Sequence, residues 1–191
     1  MKKTTFAIVC VLLIVLPTLV HCSCPTIVSR SEWGARRAKG TTSLKINPAP
    51  YAIIHHADTP PCTSESQCKS RVKNVQDYHQ NTRKWDDIGY NFLIGGDGKV
   101  YEGRGWGLSG AHAPNYNSKS IGICFIGKFD SVSPSEAQLQ AARDLLSCGV
   151  DSGKLSPSYK LLGHKQVRQT SCPGNSLYAI IKQWPNWAPN P

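Results

Sequence analysis

Acidic residues are scarce in this chain: 12 Asp and Glu stand against 22 Lys and Arg, a formal net charge of +10 over 191 residues. That balance favours anionic partners such as bacterial walls, anionic lipids or sulfated glycans. The basic residues are scattered rather than packed into a run, so charge alone does not choose among them. No nucleic-acid-binding motif is present. Internal repeats, low-complexity tracts and long linkers are missing too, and the length fits one domain. Beyond the N-terminal stretch, no apolar run is long enough to span a bilayer. Gly103-Arg-Gly-Trp-Gly107 has neither P-loop spacing nor the strand-to-helix setting of a dinucleotide fingerprint, which excludes phosphate cradling there. No H-E-x-x-H helix offers a metal site with its own general base.

What is there begins with a targeting pattern. Met1-Lys2-Lys3 precedes Phe6 to Val20, an uncharged and mostly apolar run. It falls short of the ~20 residues a membrane span needs and reads as a secretory signal. Cleavage near Cys22 or Ser23 gives residues 1–22 as signal peptide and 23–191 as the domain. Six cysteines remain, and an oxidising compartment favours pairs. Cys62 and Cys68 are close enough to close a small loop, and Cys24 and Cys148 are the expected long-range pair. Cys124 lies inside the apolar run Ile121 to Ile126 and is expected as an inert buried thiol, leaving Cys172 unpaired. A Cys124–Cys172 disulfide is the alternative.

Tyr51-Ala-Ile-Ile-His-His-Ala57 reads as a strand ending in two adjacent histidines. Its apolar run does not alternate, so both faces should be buried. Successive side chains point to opposite faces, which gives His55 and His56 different jobs. Asn47-Pro-Ala-Pro50 reads as a breaker before this strand. Further strands are expected at Thr26 to Ser29, up to Ile94, at Lys99 to Glu102 across the Gly95-Gly-Asp-Gly98 turn, at Ile121 to Ile126 and at Tyr159 to Leu162. One helix follows a cap at Ser64-Glu-Ser-Gln67, with Val72, Val75, Tyr78 and His79 along one face. A second opens at Ser133-Pro-Ser135 and ends by Gly149, and a third covers Gly174 to Gln183. The interleaving predicts an α/β (α+β) domain, a central mixed sheet flanked by about three α-helices. Trp184 to Pro191 reads as a surface tail.

His55, His164 and Cys172 offer the nitrogen and thiolate donors that zinc prefers, and three protein ligands leave one tetrahedral position open. They lie in separate segments, so spacing does not fix the site. Seven stretches carry a more specific signal: Ile54-His-His56, Asp87-Ile-Gly-Tyr-Asn-Phe92, Val100-Tyr-Glu-Gly-Arg-Gly-Trp106, Gly110-Ala-His112, Ser120-Ile-Gly-Ile123, Gly163-His164 and Thr170-Ser-Cys-Pro-Gly174. Together, from Pro25 to Trp184, the chain resembles the short secreted peptidoglycan recognition proteins, whose fold family includes phage-type N-acetylmuramoyl-L-alanine amidases.

The resemblance implies a zinc amidase of antibacterial innate immunity that cuts between N-acetylmuramic acid and the L-alanine of the peptide stem. It implies His55, His164 and Cys172 as ligands of Zn2+. Tyr90 would donate its hydroxyl to the developing oxyanion, and Thr170 would stand with the site. His56, His79, Trp85, Arg104, His112 and Asn117 would wall the groove for the stem. Arg104 with Trp85 goes with stems carrying meso-diaminopimelate, whose side-chain carboxylate a guanidinium grips bidentately. Lys84 departs from the pattern, because glycine is usual before that tryptophan. Relatives lacking a ligand only bind, so the alternative is a non-catalytic recognition or signalling protein, or a directly bactericidal one. Bacterial peptidoglycan is the expected partner and the extracellular space the expected location.

Overall fold

The computed structural model describes residues 24–191, so the expected signal segment lies outside the described residues. Among the described residues there are six strands: β1 (Ile27–Val28), β2 (Ala49–His56), β3 (Phe92–Ile94), β4 (Val100–Glu102), β5 (Ser120–Phe125) and β6 (Leu155–Gly163). They form one sheet in the order β1-β4-β3-β5-β2-β6. Only the β3–β4 hairpin is antiparallel; every other neighbouring pair is parallel. Four α-helices accompany them: α1 (Glu65–Asp77), α2 (Glu136–Asp151), α3 (His164–Val167) and α4 (Asn175–Ile181). The mixed sheet matches the expectation, with α3 as a short extra helix.

The period-two alternation of strand side chains sorts the sheet into two faces. On one face Ile54, Phe92, Ile123 and Phe125 pack against Leu139, Ala142 and Leu145 of α2 and Leu177 and Ile181 of α4. On the other, Leu93, Tyr101 and Cys124 meet Cys68, Val72 and Val75 of α1. His55 and Gly122 belong to this second face by alternation. Local signals fix the helix starts. The Ser64 side chain accepts from the Gln67 N–H, and Ser135 with Gln138 forms a capping box on α2. Disulfides join Cys24 to Cys148 and Cys62 to Cys68, while Cys124 and Cys172 are free thiols. No helix among the described residues is long and apolar enough to cross a membrane.

Several boundaries differ from expectation, each for a physical reason. β2 begins at Ala49, through the supposed breaker, because its pairing with β6 shifts register between Ala49 and Tyr51 and so accommodates Pro50. β6 begins at Leu155, ahead of Tyr159, because it is an edge strand and an edge tolerates Pro157. The C-terminal stretch is no loose tail. Trp184 is buried with the core of α2 and α4, and Trp187 bridges to Leu161 of the exposed edge. Finally, α1 runs on into a π-helical turn, Tyr78–Thr82. There Tyr78 turns outward, 51% exposed, while His79 is buried.

Candidate functional site

Parallel sheets place ligand sites beyond the carboxyl ends of their strands. The histidines obey this rule. His55 lies near the end of β2, between β5 and β6, and His164 follows β6 directly. The loop after α3 brings Cys172 to them. One donor atom from each of His55, His164 and Cys172 lies within 4.8 Å of the others.

Both ring nitrogens of His164 are buried without a hydrogen-bond partner. Such orphans cost about 1–3 kcal/mol each when nothing compensates. Two on one imidazole, beside a free thiol and a second imidazole, fit a cation of the zinc type. The donor set and its closeness therefore suit the metal.

Surrounding residues set the geometry of the donors. The His55 Nε2 lies 2.9 Å from His112 Nδ1, and its Nδ1 lies 3.7 Å from the Cys172 sulfur. With Nδ1 given to a metal, Nε2 carries the hydrogen and donates to His112. The His112 Nε2 then faces Ser120 Oγ at 3.4 Å, and that hydroxyl donates to the Tyr116 carbonyl. This relay fixes the ring orientation and tautomer of His55. Two glycines make room for it. A Cβ on Gly110 or Gly122 would come within 2.3 or 2.5 Å of the His112 ring. The motifs Gly110-Ala-His112 and Ser120-Ile-Gly-Ile123 thus have a common cause.

Cys172 is positioned by backbone. Its N–H donates to Thr170 Oγ1 at 3.2 Å, and its sulfur accepts the His56 N–H at 3.3 Å. Burial pushes the Cys172 thiol up to about 12, while that N–H favours the thiolate. A bound dication would reverse the burial effect. Burial takes His164 down to about 4 and His112 down to about 3. Burial, then the neighbouring His112 and His164, holds His55 well below its ordinary value. All three imidazoles are therefore neutral at neutral pH, as metal ligation and the relay require.

These residues floor a cleft of about 870 Å³. Of the expected site residues, His55, His56, His79, Trp85, Tyr90, His112, Asn117, His164, Thr170 and Cys172 all line it. Tyr90 sets its ring 5.3 Å from His55, and burial raises its hydroxyl well above the usual range, so it remains a proton donor. The π-turn delivers His79 beneath Trp85, their rings 4.6 Å apart. Gly89 donates its N–H to His79 Nδ1 and passes so close to Trp85 that a Cβ would meet the indole at 2.7 Å. Lys84 holds a left-handed φ of +59°, which explains why glycine suits that position.

Two of these wall residues also brace the backbone, and one further expected residue lies off the wall. Asn117 spends its carbonyl oxygen on the N–H groups of His112 and Ala113 and braces the loop. His56 accepts the Phe129 N–H on Nδ1. Arg104 is not on the cleft lining. It donates through Nε to the Ile88 carbonyl and through Nη1 to the Ser109 carbonyl, joining the two loops behind the wall. Conversely, Arg71, Arg83 and Arg168 line the cleft, and the sequence singled out none of them. None forms an ion pair among the described residues, and the Arg71 Nε is buried without a partner. The cleft is therefore cationic as well as metal-fitted. Only the fold brings these arginines together, so no sequence motif marks them.

Known proteins share this arrangement. Residues 45–175 match the family model described as N-acetylmuramoyl-L-alanine amidase. Peptidoglycan-recognition protein 2 of Holotrichia diomphalia is 49% identical over 91% of this chain and 92% of its own. The mouse protein named N-acetylmuramoyl-L-alanine amidase is 44% identical over 86% of this chain, which spans 32% of that longer protein. A tyrosine-to-phenylalanine variant of Drosophila PGRP-LB, solved in complex with tracheal cytotoxin, superimposes with a TM-score of 0.84 at 48% identity, covering 85% of this chain and 96% of that one. On these matches and this geometry, the chain belongs to the peptidoglycan-recognition proteins of the N-acetylmuramoyl-L-alanine amidase family.

Proposed function

We propose that this protein is a secreted amidase that binds bacterial peptidoglycan and hydrolyses the amide between N-acetylmuramic acid and L-alanine. The observation that carries the reading is the convergence of His55, His164 and Cys172 donors within 4.8 Å. Zn2+ held by these three would polarise the attacked carbonyl and acidify water at the open position. The protein's own side chains do the rest. Tyr90 holds a proton on its hydroxyl and offers it to charge developing on the carbonyl oxygen. His112 keeps His55 in one tautomer, and Thr170 keeps the Cys172 loop closed. Trp85 and His79 give the stem an aromatic wall. Arg71, Arg83 and Arg168 supply positive charge for its carboxylates. The two disulfides and the N-terminal targeting pattern support an extracellular site of action.

The test is release of muramic acid ends from purified peptidoglycan, with and without a chelator. Activity that survives complete zinc removal overturns the catalytic assignment and leaves peptidoglycan binding alone.

Stems carrying meso-diaminopimelate are the proposed preference. Arg104 has five N–H groups, and two are committed to carbonyls. The other three are uncommitted but sit behind the cleft wall, so this preference requires the side-chain carboxylate that lysine lacks to reach past that wall. Arg104→Ala is expected to lower the preference for diaminopimelate over lysine stems by on the order of tenfold, as loss of a charge-assisted bond would. An unchanged ratio with equal weakening of both substrates would reduce Arg104 to a brace of the two loops.

A further inference from the structure

The cleft has a corner where the loop after His56 meets the first turns of α1. The Cys62–Cys68 disulfide joins loop to helix, its Cα atoms 5.1 Å apart. Thr59 stands just before this bridge, and Arg71 lies about one helical turn past it. Both line the cleft, together with Asn74 and Val75 from the same face of α1.

Arg71 is the unpaired cation of this corner. Arg83 lies over the Trp85 ring at 5.3 Å. The Arg71 side chain has no hydrogen-bond, ion-pair or aromatic partner among the described residues, and its Nε is buried. Thr59 Oγ1 is likewise buried without a partner. A buried donor on a charged group is costly to leave unmet. Nothing within the corner meets it. Asp58 is the single acid of the cleft lining, and Lys128 already holds it at 2.8 Å.

The missing group has a definite chemistry. A guanidinium offers donors only, and a threonine hydroxyl can add one more. An oxyanion accepts from the guanidinium with two oxygens side by side and neutralises its charge. A sugar hydroxyl or a peptide carbonyl would leave that charge uncompensated.

We propose that Arg71 and Thr59 form an oxyanion subsite in the cleft, holding a carboxylate or phosphate ester carried by the bound wall fragment. The proposal rests on the peptidoglycan reading above and adds an anchor that uses none of the zinc donors. The carboxylates would come from the peptide stem, the phosphate ester from a substituted glycan.

The experiment measures binding by calorimetry on zinc-loaded Tyr90→Phe protein, so that turnover does not intrude. Three ligands are compared. The first is a lysine-stem muramyl tripeptide, which keeps the diaminopimelate preference out of the comparison. The second is the same compound with its carboxylates amidated. The third is the amidated compound with a phosphate ester on the muramyl 6-hydroxyl. At least one of the two anionic ligands is expected to bind about tenfold tighter than the amidated one. Adding Arg71→Gln should bring that ratio close to unity, and adding Thr59→Val should shrink it on the order of threefold. Melting curves confirm that both variants are folded. An Arg71-dependent gain from the carboxylates assigns the subsite to the stem, and one from the phosphate assigns it to the glycan. A gain that survives Arg71→Gln overturns the subsite, as does the absence of any gain. So does an Arg71→Gln loss shared equally by all three ligands, which would mark a general distortion. In each of these cases the amidated compound still binds and the peptidoglycan reading stands. Binding of none of the three would bring down that reading, and the subsite with it.

Discussion

The two faces of the central sheet are built from the same strands by alternate residues, yet they are made for different things. Under α2 and α4, Ile54, Ile123 and Phe125 bury carbon against carbon. Under α1 and the cleft, the same strands present His55, Gly122 and Cys124, with His112 folded into the space the glycines leave. The first face carries stability and asks only for volume and apolarity. The second faces the candidate site and tolerates orphaned polar atoms, a free thiol and packed imidazoles. A period of two along β2 and β5 is enough to separate them.

The separation can be broken or sharpened by substitution. Cys172→Ser, on the chemical side, is expected to abolish amide hydrolysis. The melting temperature in chelator should stay within a few degrees of the wild type's, because the apolar core does not include the donor cluster. A collapse of the fold in that variant would show that the two faces are not independent. Leu145→Ala on α2 should do the reverse. A fully buried leucine truncated there costs about 2–5 kcal/mol in urea unfolding, while kcat of the folded fraction holds. Tyr90→Phe keeps the ring and loses the donor, so kcat should fall about 10²–10³-fold with KM little altered. Steady-state kinetics on a muramyl peptide would decide this, and an unchanged kcat would remove the tyrosine from the chemistry.

A further test reads the chemical face through pH dependence. Burial lowers His79 and His164 to about 4 and His112 to about 3 in the metal-free fold. In the unfolded chain they titrate at about 6.5. Between those values the unfolded state binds more protons, so stability is full above pH 6.5 and is lost as pH falls towards 4. The slope is up to about 1.4 kcal/mol per pH unit for each such histidine. Calorimetric melts of chelated protein from pH 7 to pH 4 check it. A flat profile would mean that these rings are solvated and the chemical face is looser than its geometry.

Much of this division was readable in the chain, and the failures have causes. α2 and β5 declare themselves because their apolar periods, 3.6 and continuous, meet no competing signal. Prolines misled at β2 and β6. Pro50 sits at a register shift and Pro157 on an edge, the two places where a strand tolerates the missing N–H. The aromatic tail was read by composition as surface, yet Trp184 closes the core under α2. The histidine pair and the glycine motifs pointed to the cleft, while Arg71 and Arg168 did not. A residue on a helix and another past a distant strand carry no local mark of converging. The π-turn at Tyr78–Thr82 likewise has no periodicity of its own, although it aims His79.

The bridge between Cys24 and Cys148 has a consequence for how the molecule comes apart. β1 holds the sheet through only Ile27 and Val28, opposite Val100 and Tyr101. So brief a seam would fray in solution if its neighbouring residue were not fastened to the far end of α2, 124 positions along the chain. A reductant should therefore loosen this margin first, letting an N-terminal ribbon peel off and become open to proteases, at the border of the sheet away from the His55 cleft.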